Sequence, residues 1–164
     1  MTLERLWAGW RAEYVGSIGA EVDRGECVFC ALVDAPDDEA LVVARGSGVY
    51  VVLNLYPYTA GHLMVVPVGH QPDLEGLTPD IASELIETTQ RAVVAVKAAY
   101  RPDGINVGMN LGRAAGAGIP GHLHVHVIPR WTGDTNFMTT AAEVRVLPES
   151  LTTTLDRLRT AWPA

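Results

Sequence analysis

The sequence predicts an α+β domain with an antiparallel sheet of about five strands, one long helix and shorter terminal helices. Two observations lead to this class. Short runs of β-branched and apolar residues are separated by connections that contain glycine or proline, which is typical of antiparallel strands. One long segment, 80–100, carries apolar side chains at helical spacing. The 164 residues contain no repeat, so we expect 1–164 to form a single domain.

Each element has a local signal. The segment "LWAGWRAEYV" predicts an amphipathic N-terminal helix over 3–14, and "PESLTTTLDRLRTAW" predicts a closing helix over 148–161. A short helix is expected at "CVFC", and Thr78 followed by Pro79 is a typical start for the long helix. Strands are predicted at "LVVAR", "VYVVLNL", "HLMVVPVGH", "GINVGMNLG" and "GHLHVHVIPRW". A glycine-rich loop, "GRAAGAGIPG", precedes the last strand.

Composition excludes some classes of function. The formal net charge is −7, which argues against a nucleic-acid-binding surface, although a locally positive pocket could still bind a small phosphate-bearing molecule. The N-terminal segment contains Glu4, Arg5 and Arg11 and no continuous apolar run, and no later segment has the length of a membrane span. We therefore predict a cytoplasmic protein with no membrane partner, whose two cysteines are reduced.

Three of the five histidines, His122, His124 and His126, alternate with apolar residues in the last predicted strand. In a strand they share one face, and neighbouring members lie about 7 Å apart along the chain. The outer two are then about 13 Å apart, too far for one metal with ligand bonds of about 2 Å to bind all three. We therefore expect the three rings to have separate roles.

A row of this kind suits phosphoryl chemistry. A histidine can act as a nucleophile when an acceptor holds one ring nitrogen as N–H and the other nitrogen carries its lone pair outward. A flanking histidine can then donate a hydrogen bond to a developing negative charge, which a phosphoryl centre places on its oxygens. Bare backbone N–H groups of the glycine-rich loop could cradle those oxygens.

These residues carry a family resemblance. The stretch "HLHVHVI" resembles the signature of the histidine triad superfamily of nucleotidyl hydrolases and transferases. The segment "LNLYPYTAGHLMVVPVGH" is similar to its ribose-binding segment, and "NLGRAAGAGIPGHLHVHVIPRWTGDTNFM" is similar to its site-forming segment. The likeness covers residues 27–138. It implies a histidine-triad-like (HIT-like) domain on which the two terminal helices pack.

The resemblance also implies roles for individual residues. His124 matches the nucleophile that attacks the α-phosphorus, and His126 matches the ring that contacts the phosphate and stabilises charge. Asn54 matches a ribose-binding residue, and His62 matches a histidine that supports the site from behind. Further substrate contacts are expected from Asn110 near the phosphates, from the loop residues Ala117, Gly118 and Ile119, and from Trp131, which would stack on a base or else pack on the N-terminal helix.

The loop departs from the family pattern. Many members have a glutamine and a serine or threonine between the loop glycine and the triad, whereas this chain has Gly118-Ile119-Pro120-Gly121. Missing hydroxyl and amide groups argue against the phosphoramidase activity found in the superfamily. The tail "PRWTGDTNF" instead resembles the dinucleoside polyphosphate branch, with its diadenosine tetraphosphate hydrolases and phosphorylases.

The resemblance leaves open how the second step proceeds. Phosphorylases of this branch tend to have Gly-Ser where this chain has Ala117-Gly118, so we expect a hydrolase, with a phosphorylase as the alternative. A non-catalytic nucleotide sensor is a third reading, although binding alone would not require an intact His124. The resemblance implies a homodimer, and magnesium is a possible companion of the polyphosphate.

The motif "CVFC" has three possible readings: a redox pair, half of a zinc site, or two buried thiols. A redox pair is normally found at a helix start in a βαβ pattern, which is absent here. A structural zinc needs two further ligands. Zinc-bearing members of the family pair this motif with the histidine of "VPVGH" and the first histidine of the triad. The resemblance therefore implies a structural zinc held by Cys27, Cys30, His70 and His122.

Overall fold

The computed structural model describes residues 27–134 and 149–164. Five antiparallel strands form one sheet in the order β1-β2-β3-β5-β4. The strands are β1 Val42–Arg45, β2 Val49–Leu53, β3 Leu63–Pro67, β4 Gly104–Gly108 and β5 Val125–Arg130. The helices are α1 Val28–Ala31, α2 Pro79–Tyr100 and α3 Leu151–Thr160, and short 3-10 turns span Leu74–Gly76 and Arg113–Ala115. The predicted α+β class is confirmed, while the helix expected over 3–14 lies outside the described residues.

The main core lies between the sheet and helices α2 and α3. Alternate residues of β2, β3 and β5 point to this face, where the apolar stripe of α2 covers them. Fully buried members of this core include Val51, Val65, Ala92, Val96 and Leu158. Ser150 is the N-cap of α3, because its hydroxyl accepts a hydrogen bond from the Thr153 N–H at 3.1 Å.

A second, smaller core covers the opposite face of the sheet. There Tyr50 and Val66 are joined by Phe29 of α1, together with Cys27, Ala40, Val42, Val52 and Met64. His126 lies on the same face as this small core, because the β3–β5 register pairs it with Met64. The small core therefore forms the floor under the functional site.

The turn between β1 and β2 is fastened to α2. The Glu84 carboxylate accepts hydrogen bonds from the backbone N–H groups of Ser47 and Gly48, at 2.8–3.1 Å. A Cβ atom at Gly46 would lie 2.3 Å from the Glu84 carboxylate, so this position favours glycine.

The last strand is shorter than the sequence predicts. It begins at Val125, so His122 and His124 precede it. The β3–β5 pairing ends at Val65 opposite Val125. The same register carried two residues further would bring Pro67 opposite Leu123, and Pro67 has no N–H to donate to the ladder. Leu123 instead donates its N–H to the carbonyl of Gln71 at 2.7 Å.

Within residues 27–134 and 149–164, none of the helices combines the length and the apolar character needed to cross a bilayer.

Candidate active site and metal cluster

Four predicted ligands come together at the edge of the small core. The ligand atoms of Cys27, Cys30, His70 and His122 all lie within 4.8 Å of one another. The Sγ atoms of Cys27 and Cys30 are 3.3 and 3.6 Å from the His122 Nδ1, and Cys30 Sγ is 3.3 Å from the His70 Nδ1. Tetrahedral zinc, with bonds of about 2.3 Å to sulfur and 2.0–2.1 Å to nitrogen, would separate such atoms by about 3.5 Å. The donor set and its spacing therefore fit a metal ion of this kind.

A backbone carbonyl orients the buried ring of His122. Its Nε2–H donates to the carbonyl of Pro67 at 2.8 Å, which leaves the Nδ1 lone pair directed at the sulfurs. Burial lowers the pKa of His122, so the ring is held in the neutral form that a metal ligand requires. The same proline that ends the β3–β5 ladder thus sets the tautomer of His122.

His124 is oriented by its neighbour's main chain. Its Nδ1–H donates to the carbonyl of His122 at 2.8 Å, so the lone pair of the neutral ring resides on Nε2. Only 5% of the residue is exposed, and this burial lowers the pKa of its imidazole. The Nε2 atom therefore has the protonation state of a nucleophile at neutral pH.

His126 has the complementary tautomer. The backbone N–H of Tyr58 donates to His62 Nδ1 at 3.1 Å, so the neutral His62 carries its proton on Nε2. That Nε2–H donates to His126 Nδ1 at 3.0 Å, which leaves His126 with its proton on Nε2. Burial, with a smaller effect of His124, lowers the pKa of His126 to about 4. His126 is thus a neutral hydrogen-bond donor beside His124.

The rings of His124 and His126 are in contact. Their centroids are 4.8 Å apart with an interplanar angle of 79°. His124 lies before β5 and His126 within it, and the rings meet edge to face. One ring offers a lone pair and the adjacent ring offers an N–H, which is the pair of groups that a substitution at phosphorus requires.

The glycine-rich loop leaves the sheet beside this pair, because Gly108 at the end of β4 is opposite His126. Gly112 and Gly116 have φ values of 75° and 89°, a region that favours glycine. The Asn110 side-chain amide donates to the Gly116 carbonyl at 3.4 Å and the Ala117 N–H donates to the Gly112 carbonyl at 3.4 Å, so both bonds hold the loop together. Gly118 is half-buried, and Ile119 packs on the small core.

The other two predicted substrate contacts are found in different places. The Asn54 Oδ1 accepts the N–H of Tyr56 at 3.0 Å, and its Nδ2 lies 3.4 Å from His62 Nδ1, so Asn54 adjoins the chain of histidines. Trp131 follows the far end of β5 and its ring centroid is 6.3 Å from that of Tyr100. Trp131 therefore contacts α2, and the N-terminal helix named in the alternative prediction lies outside the described residues.

Sequence reasoning missed two aromatic residues at the site. Phe29, inside "CVFC", has its ring centroid 5.0 Å from that of His124 and 5.5 Å from that of His122. Tyr58 has its ring centroid 4.7 Å from that of His62. The signal for Tyr58 was an exposed aromatic beside a histidine in "YPYTAGH", whereas nothing local linked Phe29 to a residue so distant in sequence.

Comparison with known proteins identifies the class. The family model described as HIT domain matches residues 36–133. The fold and the ordered histidines define a HIT domain, and the chain belongs to this family. The prediction of a HIT-family enzyme is thereby confirmed.

Individual relatives give more detail. An "AP-4-A phosphorylase" of Mycobacterium tuberculosis is 45% identical over 165 residues, covering 98% of this chain and 85% of that protein. The crystal structure of a zinc-bound histidine triad family protein from Mycobacterium smegmatis is similar with a TM-score of 0.69 and 31% identity, covering 85% of this chain and 94% of that one. A hypothetical histidine triad nucleotide-binding protein from Sulfolobus tokodaii has a TM-score of 0.67 and 27% identity, covering 82% of this chain and 91% of that one.

The hydrogen-bond pattern predicts opposite tautomers for adjacent histidines. In two-bond ¹H–¹⁵N correlation spectra at neutral pH, we expect His124 to carry its proton on Nδ1 and His126 on Nε2. Removing the donor in His62→Ala should leave His126 as a mixture of both tautomers and should not change His124. A wild-type His126 protonated on Nδ1 would contradict the arrangement.

Proposed function

We propose that this protein cleaves diadenosine tetraphosphate by phosphorolysis, with orthophosphate as acceptor and ADP and ATP as products. The observation that carries the proposal is the 45% identity over 98% of this chain to a protein named AP-4-A phosphorylase. The sequence alone favoured hydrolysis, because Ala117-Gly118 lacks a hydroxyl, and kept phosphorolysis as the alternative. The similarity favours that alternative.

His124 would perform the chemistry in two displacements. Its Nε2 lone pair attacks the α-phosphorus, the bond from phosphorus to the β-phosphate oxygen breaks, and ATP departs with that electron pair. An oxygen of orthophosphate then attacks the phosphorus of the adenylyl-histidine. The P–N bond breaks, its electrons return to Nε2, and ADP is released. The tautomer that leaves Nε2 unprotonated is the support for this assignment.

His126 would donate its Nε2–H to the oxygens on which charge develops, with His62 holding it in that tautomer. Asn54 would contact the ribose and Asn110 the phosphates, and backbone N–H groups of Gly118 and Ile119, next to Ala117, would cradle the phosphate oxygens. No described residues beyond the Cys–His cluster bring together three metal-ligating side chains, so nothing in the described part of the chain supports the expected magnesium.

The nature of the acceptor can be read from the products. With diadenosine tetraphosphate and orthophosphate, we expect ADP and ATP in equal amounts, and turnover that falls to near zero when orthophosphate is omitted. Chromatography of the nucleotides measures both. AMP and ATP formed at the same rate with or without orthophosphate would instead identify a hydrolase, and two ADP would identify symmetric cleavage.

Variants separate the roles of the site residues. His124→Ala should lower kcat by several orders of magnitude while substrate still binds, and His126→Ala should cost on the order of 10²–10³ in kcat, as for loss of one oxyanion donor. Asn54→Ala should raise KM more than it lowers kcat, because a ribose contact persists from bound substrate to transition state. Steady-state kinetics measure all three. Retained turnover in His124→Ala would exclude the covalent mechanism.

We further propose that the metal held by Cys27, Cys30, His70 and His122 is zinc in a structural role. Two thiolates and two imidazoles are ligands that suit zinc, and four protein ligands leave no open position for substrate. Zinc there would supply a cross-link. The four residues join α1 to the segment after β3 and to the segment before β5.

Removing one ligand should release the metal and weaken the fold together. In Cys27→Ser we expect zinc to fall from about one per chain to near zero, and the free energy of unfolding to fall by about 3 kcal/mol, or roughly 6–12 °C in Tm. Elemental analysis and thermal unfolding measure the two effects. Val28→Ser, at an exposed position between the cysteines, is the matched control and should keep its zinc. Full stability without metal would refute the structural role.

Strand β4 supports the proposal of a homodimer. It lies at one edge of the sheet, where Val107 is half exposed, and Leu111 beyond the strand is also exposed. The opposite edge is covered, because Arg159 of α3 donates to the Val42 carbonyl of β1 at 2.7 and 3.0 Å. An open edge strand can pair with the same strand of a second copy about a two-fold axis.

A charge placed on this edge should separate the subunits. We expect sedimentation velocity to give a dimer for the wild type and a monomer for Val107→Lys, since pairing would place two like charges near the axis. Val28→Lys adds the same charge at a similarly exposed position on α1 and should remain dimeric. A monomeric wild type at micromolar concentration would refute the proposal.

A further inference from the structure

We propose that Phe29 is a positioning residue for His124: its ring holds the face of the imidazole so that Nε2 stays aimed at the substrate. This inference rests on the proposed function of His124 as nucleophile. It gives the "CVFC" segment a second role besides metal binding, because one of the two residues between the cysteines contacts the reacting ring.

The contact is close and fully buried. The centroids of Phe29 and His124 are 5.0 Å apart with an interplanar angle of 52°, within the range of favourable aromatic pairs. Phe29 also meets the ring of His122 edge to face, at 5.5 Å and 75°. Phe29 is 2% exposed and His124 is 5% exposed, so the contact excludes water from this side of the imidazole.

The hydrogen bond of His124 cannot hold the ring alone. One bond from Nδ1–H to the His122 carbonyl restrains a single atom. The torsion that rotates a histidine ring is broad and roughly two-fold, so the imidazole can tilt about this bond. Phe29 and His126 are both in ring contact with His124, and His126 meets it nearly perpendicularly at 4.8 Å. Phe29 is the fully apolar member of this pair and belongs to the small core.

Phe29 is itself held by the rest of the structure. The Tyr50 hydroxyl donates to the Phe29 carbonyl at 2.7 Å. Cys27 and Cys30 stand on either side of it in sequence, and their thiols face His122. His122 supplies the carbonyl that binds His124. The Cys–His cluster is therefore connected to His124 in two ways, through the main chain of His122 and through the ring of Phe29.

Replacement of the ring tests the proposal. Phe29→Leu keeps a buried apolar side chain but removes the flat face, so kcat should fall on the order of 10–100-fold because small misplacements of a reacting group are costly. KM should stay within about twofold and the metal content should not change, because Phe29→Leu replaces none of the four proposed ligands and no residue of the ribose contact. Leu155→Ala, in the main core on the opposite face of the sheet, is the stability control. It should keep kcat within about twofold even if its Tm falls by as much as that of Phe29→Leu.

A second measurement does not depend on activity. In ¹⁵N spectra, the Nδ1–H signal of His124 should be sharp and protected from exchange in the wild type and in Leu155→Ala, and broadened or lost in Phe29→Leu. If Phe29→Leu does not fold, Phe29→Met is measured in the same way. An unchanged kcat and an unchanged His124 signal in the folded variant would overturn the proposal, as would an equal loss of kcat in Leu155→Ala. If the wild type did not cleave diadenosine tetraphosphate but the His124 signal responded as expected, the proposed function would fail while the positioning role would stand.

Discussion

The interaction on which the site depends is the pairing of β3 with β5 and its end at Pro67. The last β3–β5 pair is Val65 with Val125, and Pro67, two residues further along β3, has no N–H with which to extend the ladder. The Pro67 carbonyl is still available and accepts the Nε2–H of His122. One proline thus separates a histidine directed at the cysteines from two histidines directed at the substrate side.

From this point, the backbone assigns the protons of the site. His124 donates a hydrogen bond from its Nδ1–H to a main-chain carbonyl. His62 accepts a hydrogen bond from the main-chain N–H of Tyr58 and donates one from its Nε2–H to His126. Main-chain groups neither titrate nor rotate freely, so the backbone fixes the tautomers of His124 and His62, and the His62 side chain in turn sets that of His126. Burial keeps His124 and His126 neutral, and these two rings therefore offer a polyphosphate hydrogen bonds and a lone pair but no positive charge.

The two faces of the sheet carry different groups of residues. Helices α2 and α3 cover the main core, while the small core around Phe29 and Tyr50 supports the histidines and the metal cluster. His122 joins the two parts of this face, because its ring contacts Cys27 and its carbonyl accepts the Nδ1–H of His124.

The amino-acid sequence alone determined the fold class, the order of the strands along the chain and the shared face of the histidines, because hydrophobic periodicity is a local property of a chain. The individual roles of the histidines came from the family resemblance, which periodicity could not supply. Only the tertiary structure decided where β5 begins, that the ring centroids of His124 and His126 are 4.8 Å apart, and that the ring of Phe29 contacts that of His124. The contacts that build the site join residues far apart in sequence: Cys27 and His122, for example, are separated by 95 positions along the chain. Their formation depends on strand register and on which backbone carbonyls are left unpaired by the β-ladder. Neither property can be predicted from a short stretch of sequence.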